Sequence, residues 1–203
     1  MLFQFDIVEI VKTWGYIGLF FIVFAESGLF FGFFLPGDSL LFTAGFLASQ
    51  NILNILVLVP LLVIAAITGD SVGFWMGNKF GSWLLRQKES FFFQKKYMTK
   101  AQEFYEKHGG KTIVLARFVP AVRTFAPIVA GMAKMHYRTF ISFNCLGGLF
   151  WAAGMLLLGY FLGSVIPDVD KYLLPIIAVI IFASVLPGLI HLVKSKKVSS
   201  GTR

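Results

Sequence analysis

Long apolar stretches, three of them free of charged residues, constrain the fold of this chain more than any other feature. Residues 39–69, 139–167 and 172–193 contain no Asp, Glu, Lys or Arg over 31, 29 and 22 positions. A helix needs about 20 apolar residues to cross a bilayer. Only 14% of all residues are charged, against about a quarter in soluble domains. The sequence therefore excludes an ordinary soluble enzyme and a disordered chain, and it predicts an integral membrane protein.

Basic residues between these stretches predict the orientation of the chain. Residues 79–111 contain eight Lys and Arg but three Glu, and three lysines follow the last apolar stretch. Cytoplasmic loops are enriched in Lys and Arg, so both regions are predicted to be cytoplasmic, as are the N- and C-termini. The short acidic loop 167–171 is predicted to lie outside. The net charge of +8 follows from this distribution and does not indicate nucleic-acid binding.

Two apolar segments are predicted to enter the membrane and return to the same side. Residues 112–135 contain Pro120, Pro127, Arg117 and Arg123, and basic residues flank them at both ends. Irregular backbone at membrane depth is tolerated where it is buried in protein or lines a wet cavity. These properties predict a re-entrant hairpin over residues 112–135.

The first part of the chain is predicted to contain the second hairpin, over residues 32–49. The apolar stretch that begins at residue 39 is too long for one span, and Pro36, Gly37 and Asp38 are predicted to form a turn before it. A weak internal repeat supports the pairing, because Phe-Leu-Pro at 34–36 resembles Phe-Val-Pro at 118–120. Interrupted segments in corresponding halves are typical of transport sites near the membrane midplane.

The predicted fold is an all-α membrane protein with about four transmembrane helices and two facing re-entrant hairpins. A single membrane domain covers residues 1–194, and residues 195–203 form a flexible tail. Residues 79–111 are predicted to form a cytoplasmic interfacial segment that contains an amphipathic helix. Thr99 and Gln102 have the spacing of a capping box that begins this helix, and Gly109-Gly110 ends it.

Five ionisable residues fall within apolar segments and carry the candidate chemistry: Glu26, Asp38, Asp70, Arg117 and Arg123. Each costs roughly 2.5–3.5 kcal/mol to insert into a membrane, so each needs a partner, water or a function. The simplest arrangement pairs acids of the first half with arginines of the second. Such pairs can be purely structural, because a buried ion pair is weak evidence of stability or function.

The functional interpretation rests on the chemistry of these side chains. Arginine stays charged when buried and offers a planar set of donors that suits phosphate, so Arg117 and Arg123 are candidates for binding a lipid phosphate. Burial favours the neutral form of a carboxyl group, so Glu26 and Asp38 are candidates for proton exchange or gating. Asp70, Pro36, Gly37, Pro120 and Pro127 are predicted to support this site.

Glycines at 69, 73, 77 and 81 form a stripe with a spacing of four residues. Small residues at this spacing allow close packing of helices in a membrane. We interpret the stripe as an internal packing surface, with a dimer face as the alternative.

Several motifs together resemble the DedA family, also called the SNARE-associated or VTT-domain superfamily. The most specific is Arg-Phe-Val-Pro-Ala-Val-Arg-Thr-Phe-Ala-Pro at 117–127, and the others are Glu26, Phe-Leu-Pro-Gly-Asp at 34–38, Gly69-Asp70, Asn144, Gly147 and Trp151. The resemblance implies a bacterial cytoplasmic-membrane protein with two facing hairpins that moves lipids between leaflets. It also implies that the arginines bind the lipid phosphate and that Glu26 and Asp38 handle protons.

Our leading hypothesis is a transporter of undecaprenyl phosphate, or a related phospholipid, and the family resemblance implies a link to the proton motive force. The alternatives are a scramblase of phosphatidylethanolamine or phospholipids in general, and a proton-coupled transporter of small ions or solutes. No nucleophile–histidine–acid set or HExxH motif occurs in the sequence, so we expect no enzymatic activity, cofactor or metal. The expected partners are an anionic lipid headgroup and protons, and a homo-oligomer is left open.

Overall fold

A computed structural model describes residues 7–29, 37–84, 103–105 and 107–165, and the regular secondary structure in this part of the chain is helical throughout. The helices are α1 (Ile7–Gly28), α2 (Gly37–Ser49), α3 (Ile55–Leu84), α4 (Lys111–Ala116), α5 (Pro120–Met132), α6 (Tyr137–Gly148) and α7 (Gly154–Val165). One wide π-helical turn, Leu149–Ala153, joins α6 to α7. The predicted all-α class is confirmed for these residues.

Several predicted features lie outside the described residues. They are Pro36, the proposed helix start at Thr99 and Gln102, the acidic loop 167–171, the apolar stretch 172–193 and the tail 195–203.

Within the described residues, two helical segments are both long enough and apolar enough to cross a membrane. The first, Ile55–Gly81, lies in α3 and has 27 residues. The second, Tyr137–Val165, combines α6, the π-helical turn and α7 and has 29 residues. Each is about 40 Å long at 1.5 Å per residue. The hydrocarbon core of a bilayer is about 30 Å thick. In the most apolar 18 residues of each segment, only 39% and 33%, respectively, is buried. Their exposed apolar side chains, such as Leu56, Phe150 and Phe161, suit contact with lipid rather than a soluble core.

The apolar segment at 112–135 is divided into two helices, as its prolines predict. Residues 117–119 separate α4 from α5, and Pro120 occupies the first turn of α5. Val119 before it is extended, with φ −115° and ψ 105°, because proline disfavours helical backbone in the preceding residue. Neither α2 nor α5, with 13 residues each, reaches more than about 20 Å.

The glycine stripe of α3 packs against other helices of the same chain. A Cβ at Gly69 would overlap Phe24 in α1, and one at Gly77 would overlap the carbonyl oxygen of Ile128 in α5. Gly131 of α5 approaches Phe74 of α3 equally closely. The prediction of internal helix packing is confirmed, and the alternative of a dimer face is wrong because α1 and α5 cover these glycines.

The segment before α4 ends as the sequence predicts. Gly109 has a φ of +65°, and its N–H donates to the carbonyl of Tyr105 at 2.8 Å, which is the usual left-handed end of a helix. The Tyr105 hydroxyl donates to the carbonyl of Ala126 at 3.1 Å and so ties this segment to α5. Burial raises the pKa of Tyr105 to about 12. The hydroxyl therefore remains a donor throughout the physiological range.

The described helices belong to two compact units. One contains α1 and residues 56–154, and the other contains α2 and residues 155–165. In the second unit, Gly45 lies against the carbonyl of Leu156, and Gly159 lies against that of Phe42. The side-chain amide of Gln50 donates to the carbonyl of Gly163 at 3.1 Å. Small residues thus bring α2 and α7 into backbone contact.

Candidate functional site

Within the described residues, two buried ion pairs join the first half of the chain to the second. Arg117 pairs with Asp70 of α3, and Arg123 of α5 pairs with Glu26 of α1. The exposed fractions of these four residues are between 1% and 7%. The predicted pairing of first-half acids with second-half arginines is therefore present. Each arginine has a carboxylate next to it, which offsets the cost of burying its charge.

Arg117 is held by acceptors from two helices. It lies in the turn between α4 and α5, and its Nη2 donates to Asp70, to the side-chain oxygen of Asn144 and, at 3.4 Å, to the carbonyl of Ala66. Two of these three acceptors are uncharged. The position of Arg117 therefore does not depend on the carboxylate alone.

Asn144 of α6 has a role that the sequence motifs do not indicate. Its Nδ2 donates to the carbonyl of Ile67 in α3 at 3.0 Å, which leaves Oδ1 to accept from Arg117. The side chain is fully buried. An amide within an uncharged stretch is costly in a membrane unless it is hydrogen-bonded, and this signal alone marks Asn144 as a residue with a specific partner.

Trp151 lies against both arginines. Its ring centroid is 4.4 Å from Cζ of Arg123 and 5.9 Å from Cζ of Arg117, within the range of cation–π attraction. The ring is 3% exposed and belongs to the π-helical turn. Turns of this type are frequent at functional sites. The sequence marks Trp151 only as part of a family motif and indicates no role for it.

One helical face carries the residues that surround the arginines. Asn144, Gly147, Gly148 and Trp151 follow the i, i+3, i+4, i+7 spacing and are all buried, whereas residues 145, 146, 149 and 150 are exposed. A Cβ at Gly147 would lie 2.8 Å from Cδ of Arg117. The glycines therefore allow the Arg117 side chain to lie directly on the α6 backbone.

Some buried donors have no hydrogen-bond partner among the described residues. They include Nε of Arg117 and the hydroxyl of Ser27, which follows Glu26 in α1. A buried donor without a partner costs free energy. These two groups can therefore serve an acceptor-rich ligand such as a phosphate.

The other predicted site residues occupy different positions. Asp38 lies in the first turn of α2, in the second compact unit, and is partly buried. Gly37 begins α2 and is buried, Pro120 begins α5, and Pro127 is buried within α5. The described residues contain no cluster of His, Cys, Asp and Glu that could hold a metal ion.

Comparison with known proteins decides the family. The VTT domain model matches residues 35–161. Protein DedA of Escherichia coli strain K12 is 48% identical over 197 residues, which cover 96% of this chain and 90% of that protein. The chain is a membrane protein of the DedA family.

More distant relatives extend this result across bacteria. An uncharacterized membrane protein of Mycobacterium leprae is 45% identical over 83% of this chain and 75% of its own length. Inner membrane protein YghB of Escherichia coli strain K12 is 34% identical over 90% of this chain and 85% of its own length. No solved structure matches the chain significantly.

Proposed function

We propose that this DedA-family protein moves an anionic lipid phosphate, with undecaprenyl phosphate as the first candidate, between the leaflets of the bacterial cytoplasmic membrane. One observation carries the proposal: two arginines are buried in the membrane domain, each beside a carboxylate and both beside Trp151. Charged side chains within membrane segments usually mark a substrate or ion pathway.

The ion pairs favour a phosphate substrate for a chemical reason. A carboxylate and a phosphate are alternative partners for the same planar guanidinium, which binds either through two parallel hydrogen bonds. In the proposed cycle the lipid phosphate replaces the carboxylates of Glu26 and Asp70 on the arginines. Nε of Arg117 and the hydroxyl of Ser27 add donors that the phosphate oxygens can accept from.

The proposed role of the acids follows from the same exchange. A carboxylate that leaves an arginine inside the membrane is stabilised by taking up a proton. Proton uptake by Glu26 would then accompany phosphate binding and would couple transport to the proton motive force. We propose the same gating role for Asp38 and a supporting role for Asp70.

We propose a topology of about four spans and two facing re-entrant hairpins, with both termini cytoplasmic. The 13-residue lengths of α2 and α5 and the break at residues 117–119 support the hairpins, because neither helix is long enough to span. The name of the relative YghB, an inner membrane protein, supports a location in the cytoplasmic membrane.

Two further functions use the same site. A scramblase of phosphatidylethanolamine or other phospholipids would also bind a phosphate, so headgroup preference separates it from the first proposal. A proton-coupled transporter of small ions or solutes would use the buried acids without a lipid. We propose a transport protein rather than an enzyme.

Leaflet exchange of undecaprenyl phosphate in proteoliposomes tests the proposal. Wild-type protein should accelerate exchange, and R117A and R123A should lower it at least 10-fold. R138A is the matched control, because Arg138 is exposed on α6. Exchange by R117A and R123A at the wild-type rate would contradict the site. Equal exchange of phosphatidylethanolamine would favour the scramblase, and solute uptake without lipid movement would favour the proton-coupled transporter.

A further inference from the structure

We propose that Trp151 is the positioning residue of the phosphate site: it holds the guanidinium of Arg123 while the partner of that guanidinium changes from Glu26 to the lipid phosphate. This inference rests on the proposed function. It starts from the ring-to-guanidinium distance of 4.4 Å and from the burial of Trp151, Arg123 and Glu26.

A guanidinium has two kinds of surface that make different contacts. Its N–H groups point outward in the plane and donate to carboxylates or phosphates, whereas its flat faces stack on aromatic rings. Cζ of Arg123 lies over the Trp151 ring, and attraction between a cation and a ring does not require an N–H hydrogen bond. Arg123 can therefore change its in-plane partner without losing the ring.

The contact with the ring also does not depend on proton uptake. Protonation of Glu26 removes the negative charge beside Arg123, whereas the attraction between the cation and the indole is unaffected. Cation–π attraction is strongest for tryptophan and increases when water is excluded. A guanidinium fixed in this way is ready for phosphate and loses little rotational freedom on binding.

The local fold places Trp151 for this role. The π-helical turn Leu149–Ala153 begins directly after Gly147 and Gly148, which lie against Arg117. The same face thus contacts Arg117 through Asn144 and Arg123 through Trp151. Both arginines are positioned by one helix, which keeps their spacing constant for a single phosphate group.

A pair of lipids that differ only in the phosphate tests the inference. Binding of undecaprenyl phosphate and of undecaprenol to purified protein is measured by native mass spectrometry for wild type, W151F and W151L. W75L is the matched control, because Trp75 is 59% exposed on α3. The quantity compared is the preference for undecaprenyl phosphate over undecaprenol. Loss of a phosphate contact lowers this preference, whereas a general loss of structure weakens the binding of both lipids and changes the preference much less.

We expect W151L to lower this preference about 10-fold, W151F to lower it about 3-fold and W75L to leave it unchanged. If W151L does not fold, the loss in W151F still tests the inference, because phenylalanine attracts a cation less than tryptophan does. An unchanged preference in the folded Trp151 variants would overturn it. Equal weakening of the binding of both lipids would show that Trp151 has a purely structural role and would also overturn the inference. A wild type without preference for the phosphate would contradict the proposed function itself.

Discussion

The two buried arginines are held in different ways, although both face a carboxylate. Arg117 donates to Asp70, to Asn144 and to the carbonyl of Ala66, so it is fixed by acceptors of α3 and α6. Arg123 pairs with Glu26 and has its guanidinium against the ring of Trp151. Hydrogen-bond acceptors fix the direction of the N–H groups of a guanidinium. An aromatic ring fixes only the guanidinium plane, so the hydrogen-bond partners of its N–H groups can change.

This difference indicates that the two arginines have different roles in the site. Contacts around Arg117 join α3, the α4–α5 turn and α6, so their loss should mainly lower stability. Contacts around Arg123 should mainly control lipid binding. Substitutions around each arginine test this difference.

Removal of Asp70 should have the largest effect. D70L leaves the charge of Arg117 buried without its carboxylate, and loss of one partner of a buried pair costs about 3–5 kcal/mol. The free energy of unfolding, measured by denaturant titration in detergent, should fall by this amount. The double variant D70L/R117L should recover part of the loss, because it removes the uncompensated charge. A stability of D70L equal to wild type would contradict the structural role of this pair.

Removal of the Asn144 amide should have the next largest effect. N144L breaks the hydrogen bond to Arg117 and leaves the Ile67 carbonyl without the amide donor, at a cost of about 2–3 kcal/mol. The same unfolding measurement checks the value. Because Asn144 contacts Arg117, the phosphate preference should change less than in W151L. A larger loss of preference in N144L than in W151L would remove the distinction between the two arginines.

Neutralisation of Glu26 should raise the affinity for undecaprenyl phosphate and should not lower the stability of the protein. E26Q keeps the shape and a carbonyl acceptor for Arg123 but removes the charge that competes with phosphate. Undecaprenyl phosphate should bind about 10-fold more tightly, or about 1.4 kcal/mol, as measured by native mass spectrometry. D70N is the comparison variant and should gain less, because Asn144 and Ala66 still hold Arg117. Weaker binding by E26Q than by wild type would exclude competition between Glu26 and the phosphate.

Addition of a methyl group at Gly147 should have the smallest effect. The new Cβ in G147A would lie 2.8 Å from Cδ of Arg117 and 3.2 Å from Cα of Val114, so Arg117 must shift at a cost of about 1 kcal/mol. Gly154, which has no atom within 4 Å of an added Cβ, supplies the control G154A. A thermal-shift measurement should separate the two variants, and equal stabilities would show that Arg117 does not need the close approach.

The sequence predicts most of the charged part of the site. The cost of burying Glu26, Asp70, Arg117 and Arg123 requires partners, and both observed pairs join a first-half acid to a second-half arginine. The sequence does not specify which acid meets which arginine. That choice depends on the register of α1 and α3 against the α4–α5 turn, which is set by glycine contacts between helices.

The uncharged part of the site is harder to predict. Asn144 and Trp151 lie within one apolar stretch, and periodicity alone does not show which helix face is turned towards the arginines. The π-helical turn Leu149–Ala153 that contains Trp151 is also not revealed by the sequence pattern. The glycine stripe, in contrast, can be interpreted from the sequence, because its spacing alone predicts the close helix packing that the structure contains.

Solid-state NMR can measure contact between the lipid phosphate and the buried guanidinium groups. Protein with ¹³Cζ-labelled arginine is reconstituted with undecaprenyl phosphate, and dipolar recoupling measures the distance from ³¹P to Cζ. We predict a distance of about 4 Å in the wild type, typical of a guanidinium–phosphate pair, that is lost in R117K/R123K. Absence of this contact in the wild type, or its persistence in the double variant, would contradict a phosphate site at these arginines.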